Sequence, residues 1–173
     1  MANITSKYDL LTVIPTVQAT PDYAAGDVLF APTEIYNFFK DEASAAQIVS
    51  ICIIDKRVVG THDFTLYFTN SSTALGNLNA TAGAAMGVLE EIQTTIPIVN
   101  GDWIAGGGAG SVDLANIATI TDPAVDGIGA VVKGANWAGG INTQSLYISA
   151  IAGETMNVAS TSDLIIKIGV KYL

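Results

Sequence analysis

Leu164-Ile165-Ile166-Lys167-Ile168-Gly169-Val170-Lys171-Tyr172 decides the fold class. One set of positions is Leu164, Ile166, Ile168, Val170 and Tyr172, and the interleaved set includes Lys167, Gly169 and Lys171. That two-residue period belongs to a strand with one buried face. The alternation runs on to Leu173, so the C-terminal stretch is expected to lie inside a sheet rather than to trail from one.

Working outward, the same signature recurs between turn-forming residues. Residues 10–17 read as a strand, with Pro15 removing a ladder donor and placing it at an edge or bulge. Residues 22–27 read as a turn around Gly26, followed by strands at 27–30 and 34–39. The run 46–55 is apolar on both alternations, which predicts a central strand covered on both faces. Residues 62–69 set Phe64, Leu66 and Phe68 against Asp63, Thr65 and Tyr67, a strand with one wetter face. A turn at 70–72, a short continuation at 73–77, and strands at 94–99, 115–121, 127–132 and 144–152 complete the pattern.

Helix formers and small residues replace β-branched ones only around 82–91, which predicts one short helix of two or three turns, weakened by Gly83 and Gly87. The expected fold is therefore all-β: an antiparallel β-sandwich, jelly-roll-like, with that one helix. The chain is long enough for a single domain at 173 residues. Residues 1–9 are expected to form an N-terminal arm and 10–173 the sandwich.

Charge narrows the function classes. Sixteen Asp and Glu against seven Lys and Arg give a net charge of −9, which repels polyphosphate, so no direct nucleic-acid binding is expected. Half of the residues are hydrophobic and only 13% are charged. So little charge implies an exterior partly covered by other subunits. Apolar runs are short, far below the ~20 residues that cross a bilayer as a helix, so no membrane partner is expected. Residues 1–7 carry no apolar signal region, which implies synthesis and initial residence in the cytoplasm.

Catalytic chemistry finds little support. Cys52 is the single cysteine, within the apolar run 48–54, and reads as a buried structural thiol. His62 is the single histidine and adjoins Asp63, but no Gly-x-Ser-x-Gly elbow accompanies it. Glu90 and Glu91 are adjacent and so point apart, on a helix or a strand. The glycine run 106–110 lacks the Gly-Lys-Ser/Thr of a phosphate loop and reads as a surface loop. Asn100, Asp102, Asp113, Asp122 and Asp126 lack EF-hand spacing and read as turn residues. No catalytic residue, cofactor or metal ligand is assigned. Trp103, Trp137 and Tyr147 would suit a sugar-stacking platform, although loop tryptophans more often plug cores or anchor interfaces.

One resemblance spans most of the chain. It is carried by the Pro15-Thr16 step after the first strand, by Tyr23-Ala24-Ala25-Gly26-Asp27-Val28-Leu29-Phe30 and by Ile48-Val49-Ser50-Ile51-Cys52-Ile53-Ile54-Asp55-Lys56. Asp63-Phe64-Thr65-Leu66-Tyr67-Phe68, the small-residue helix, Leu146-Tyr147-Ile148 and the closing strand extend it. In this order they resemble small structural proteins of tailed bacteriophage virions, nearest to capsid decoration or stabilisation (cement) proteins. The resemblance implies a homo-oligomer, with a trimer as one form, on the outer surface of the head and bridging major capsid proteins. It transfers no chemical residues. The expected contact residues are Asn3, Ile4 and Tyr8 at the N-terminus, Trp103 and Trp137 in loops, and Tyr172 in the last strand. The alternatives are a receptor- or carbohydrate-binding sandwich, with exposed Trp103 and Trp137 as its surface, or a tail or head-completion protein.

Overall fold

The structure is a computed structural model that describes residues 7–40, 44–56, 62–83, 86–104, 116–120, 128–133, 144–158 and 160–173. Among the described residues ten strands follow one another: β1 (Tyr8–Val13), β2 (Val28–Ile35), β3 (Ala45–Asp55), β4 (Phe64–Thr69), β5 (Ile92–Ile98), β6 (Trp103–Ile104), β7 (Asn116–Ile120), β8 (Val131–Lys133), β9 (Leu146–Ala152) and β10 (Leu164–Tyr172). A single helical turn, α1 (Met86–Leu89), lies between β4 and β5. It falls within the span expected to be helical and is shorter than the two or three turns expected.

All pairings between these strands are antiparallel and build two sheets. The six-stranded sheet runs β1-β10-β3-β7-β6, with β8 also on β3, and the four-stranded sheet runs β2-β9-β4-β5. One apolar core joins them, with Ile51, Ile53, Ile166 and Ile168 from the first sheet and Phe30, Phe64, Leu66, Phe68 and Ile148 from the second. Each such side chain contributes about 1.5–3 kcal/mol on burial. This is the architecture of a β-sandwich.

The terminal strand owes its alternation to its place. β10 lies between β1 and β3, so its backbone is paired on both edges while its side chains see the core on one face only. β3 is the long central strand: β10 covers one edge, and β7 (Ile51 to Asp55) and β8 (Ala45 to Gln47) share the other.

Two departures from the expected elements have local causes. β1 ends at Val13 rather than residue 17, since Pro15 cannot donate to a ladder. The strands expected at 27–30 and 34–39 join as one strand, β2, which absorbs Pro32 through a shift of register between Phe30 and Thr33 and ends at Ile35; residues 36–39 turn away from the sheet, with Asn37 at φ 55°. No strand forms at 73–77.

A bulge at Val49 shifts the β3–β10 register, with Gly169 opposite Ser50 and Val170 opposite Ile48. A Cβ on Gly169 would run into Ser50 Oγ and come within 3.3 Å of Val49 Cγ2. Gly169→Ala should therefore cost about 1 kcal/mol in urea unfolding, because the crowding of overpacking exceeds the entropy gained from losing a glycine. The Ser50→Ala background should recover most of that loss, since it removes the crowding hydroxyl; equal losses in both backgrounds would refute this account.

Candidate interaction surface

The outer faces of the two sheets differ. Behind the four-stranded sheet, the segment between β4 and β5 folds back across it. Val28, Leu75 and Val88 form a second, smaller core there, with Tyr67, Ala82 and Ile151 packed against it. The same segment closes the free edge of β2: Asn79 N donates to Val28 O at 2.9 Å, Val28 N to Ala80 O at 3.0 Å and Ala82 N to Gly26 O at 2.9 Å. The turn beneath depends on Gly26, at φ +89°, and on the Asp27 carboxylate, which accepts from Ala24 N at 2.8 Å.

No described element lies over the outer face of the six-stranded sheet. Strand parity directs Tyr8, Leu10 and Thr12 of β1 outward, then Ile165, Lys167, Gly169 and Lys171 of β10. Gln47, Ser50, Cys52 and Ile54 of β3 and Val131 and Lys133 of β8 continue the row. Tyr8, Leu10 and Val131 are 58%, 60% and 52% exposed, values that mark the face as open to solvent. Ile54 and Ile165 are half-buried in it. Three lysines and no described carboxylate occupy this face, although carboxylates outnumber cations 16 to 7 in the chain. Cys52 stands here beside Lys167, partly exposed, rather than in the core where the apolar run around it had suggested.

The free edge of β1 is partly blocked. The Asp9 carboxylate accepts from Leu10 N at 2.8 Å, which occupies a donor that would otherwise offer itself to another strand. Tyr172 turns inward beside it. Its hydroxyl donates to Asp9 Oδ2 at 3.5 Å, and Lys40 Nζ sits 4.4 Å from its ring centroid. Burial, then the Asp9 charge and hydrogen bond, push the Tyr172 phenol above its usual pKa. Tyr172 therefore clamps β10 to β1 and to the loop after β2, while Tyr8 faces solvent at the start of the same edge.

Trp103 belongs to the core and not to an exposed platform. It is 9% exposed, lies 6.3 Å from the Phe64 ring, and donates from Nε1 to His62 O at 3.0 Å. This corrects the carbohydrate-platform reading, which required Trp103 on the surface. Asn3, Ile4 and Trp137, like the glycine run 106–110 and Asp113, Asp122 and Asp126, fall outside the described residues.

His62 meets a carboxylate: its Nδ1 lies 3.1 Å from Glu154 Oε1, which also accepts from Asp63 N at 3.2 Å. Asp102 closes a tight turn by accepting from Val99 N at 2.8 Å. Among the described residues, no group of three or more His, Cys, Asp or Glu is placed to hold a metal ion, and no helix is long and apolar enough to cross a membrane.

One group escaped the sequence reading. Glu34 and Tyr147 pair across β2 and β9, and Tyr36, 71% exposed, stands beside them. A hydrogen bond from Tyr36 to Glu34 and the charge of Glu34 raise the Tyr36 pKa; burial first, then Glu34, raises that of Tyr147. Spacing alone does not find this group, because β2 and β9 are more than a hundred residues apart and their register passes a bulge.

No family model matches the chain, and no curated protein matches it.

Proposed function

We propose that this chain is a non-enzymatic virion structural protein that decorates the outside of a phage capsid and stabilises the lattice of the major capsid protein. The observation that carries the reading is the strand order. β1-β10-β3-β7 facing β2-β9-β4-β5 is the order expected when one long antiparallel ribbon wraps into two Greek keys. It supports the jelly-roll form of the sandwich, an architecture used by viral capsid and lectin domains. β6 and β8 are additions around that eight-stranded plan.

The resemblance to decoration proteins and the open sheet face support the same reading. A protein that binds only the assembled lattice stabilises it by its own binding free energy, and repetition over many sites makes weak contacts suffice. Homo-oligomers on the head, with the residues ahead of β1 and the open face in contact, follow from this reading; Tyr8 and Asp9, expected within an arm 1–9, are the first residues of β1 and pair with β10.

The lectin use of the same architecture gives a second reading, favoured by the exposed Tyr36 beside Glu34 and Tyr147. One experiment separates them: cryo-electron microscopy of purified particles from the source of the gene, with the copies of this chain located and counted. Hundreds of copies at lattice positions on the head exterior are expected. A few copies at the tail favour receptor binding, and absence from particles overturns the virion reading.

A further inference from the structure

We infer that the outer face of the six-stranded sheet is a self-association surface, on which a second copy of this chain docks through a different, acidic part of its own exterior. The inference deepens the assembly reading and rests on it for the expectation that many copies meet.

The four-stranded sheet carries its own cover in the segment between β4 and β5, whereas the six-stranded sheet leaves Tyr8, Leu10 and Val131 in water, with Ile54 and Ile165 half-buried farther along the same face, beyond Lys167. Apolar area alone fits many partners; the ionic pattern selects among them. Lys133, Lys167 and Lys171 stand on this face without a carboxylate among the described residues. The rest of the described chain holds eleven carboxylates against Lys7, Lys40 and Lys56. Almost any other patch of a second copy is thus of opposite sign to the face.

The same pattern excludes two symmetric arrangements. Stacking this face on itself would bring three lysines against three lysines in a partly dry contact, where like charges repel. Joining two β1 edges requires the Asp9 carboxylate to give up Leu10 N. The contact is then heterologous: each copy offers its face and receives another elsewhere, so the chain closes into a ring or extends as a lattice.

Its strength follows from its size. Four strands at ~4.8 Å spacing and a β10 about 30 Å long make a face of roughly 600 Å². A contact over that face buries about 1,200 Å² in total, the lower limit for a specific interface. Single contacts are therefore weak, and a lattice multiplies them.

The test is sedimentation equilibrium of the full chain over a wide concentration range, with Lys167→Glu set against Lys56→Glu. Both substitutions change the net charge equally, but Lys167 stands in the middle of the face opposite Cys52, whereas Lys56 lies past the end of β3, where its Nζ donates to Ser162 O at 3.0 Å. Self-association weakened at least tenfold by Lys167→Glu and less than twofold by Lys56→Glu is expected. Carbodiimide cross-linking of a mixture of light and ¹⁵N-labelled protein reads the partner directly. Bonds from Lys133, Lys167 or Lys171 to a carboxylate of the differently labelled copy are expected. Equal weakening by both substitutions, cross-links confined to one chain, or a protein that stays monomeric throughout would overturn the inference.

Its failure is distinguishable from that of the virion reading. A chain that associates through this face yet is absent from particles keeps the surface and loses the capsid role. A chain on particles whose monomers ignore one another does the reverse.

Discussion

Trp103→Ala should lower the stability of the isolated chain by about 3–5 kcal/mol, the usual cost of removing a buried tryptophan. In a domain of this size that corresponds to a fall of roughly 6–20 °C in Tm. Two losses combine. The indole leaves a void beside Phe64 in the common core, and the His62 carbonyl loses the donor that reached it at 3.0 Å. Trp103→Phe, which keeps most of the packing but not the N–H, should cost only a third to a half as much. The measurement is thermal unfolding of the purified chain in dilute solution, where partners are absent. An unchanged Tm for Trp103→Ala would return this residue to the surface and restore its role as an interface anchor.

The second large effect is expected outside the main core. Leu75 is 2% exposed and fills the small cluster with Val28 and Val88, so Leu75→Ala should remove about 2–4 kcal/mol. Much of that loss should appear locally. The β4–β5 connection is held to the sheet by this cluster and by the backbone bonds around Val28 and Asn79, and a segment with few anchors opens without the rest. Hydrogen exchange should accelerate at Asn79, Ala82 and Gly83, while amides of β3 and β10 keep their protection. Uniform acceleration through both sheets would mean that the cover is integral to the sandwich and that the two clusters form one cooperative unit.

How much of this was legible in the sequence depended on which force governs each segment. β10 and β4 were read nearly to the residue, because each turns one face to the main core and a more polar one away from it, and burial writes that difference directly into alternation. β3 is central in its sheet as expected, but the apolar run that suggested cover on both faces misled: its burial alternates, and Cys52 and Ile54 lie half-buried on the outer face. β2 was misread as two strands because Pro32 looks like punctuation; the register shift that accommodates it is a property of the pairing with β9. The charge segregation was invisible for a similar reason. Lys133, Lys167 and Lys171 are ordinary scattered lysines until β8, β3 and β10 are laid side by side in register.

The candidate contact residues divided along the same line. Tyr8 is exposed, as an edge residue next to an arm should be. Trp103 and Tyr172 turn inward, and what fixes them is a partner far away in the chain: His62 for the indole, Lys40 and Asp9 for the phenol. Composition marks such residues as large and amphipathic, and only tertiary contacts decide which side they bury.

The position of β10 between β1 and β3 also sets a timetable. The first strand of the chain, with Tyr8 opposite Lys171, has no partner until the last strand has been made, and one edge of β3 stays bare for the same interval. On the ribosome the four-stranded sheet has its strands through β9 first, whereas the six-stranded sheet waits for β10 as well. Pairing at such sequence separation is intrinsically slow, and the unfinished sheet exposes apolar strand edges meanwhile. Assembly of the six-stranded sheet is accordingly tied to the synthesis of β10, so a copy stalled before residue 164 would present a sticky, half-built sandwich to chaperones and proteases.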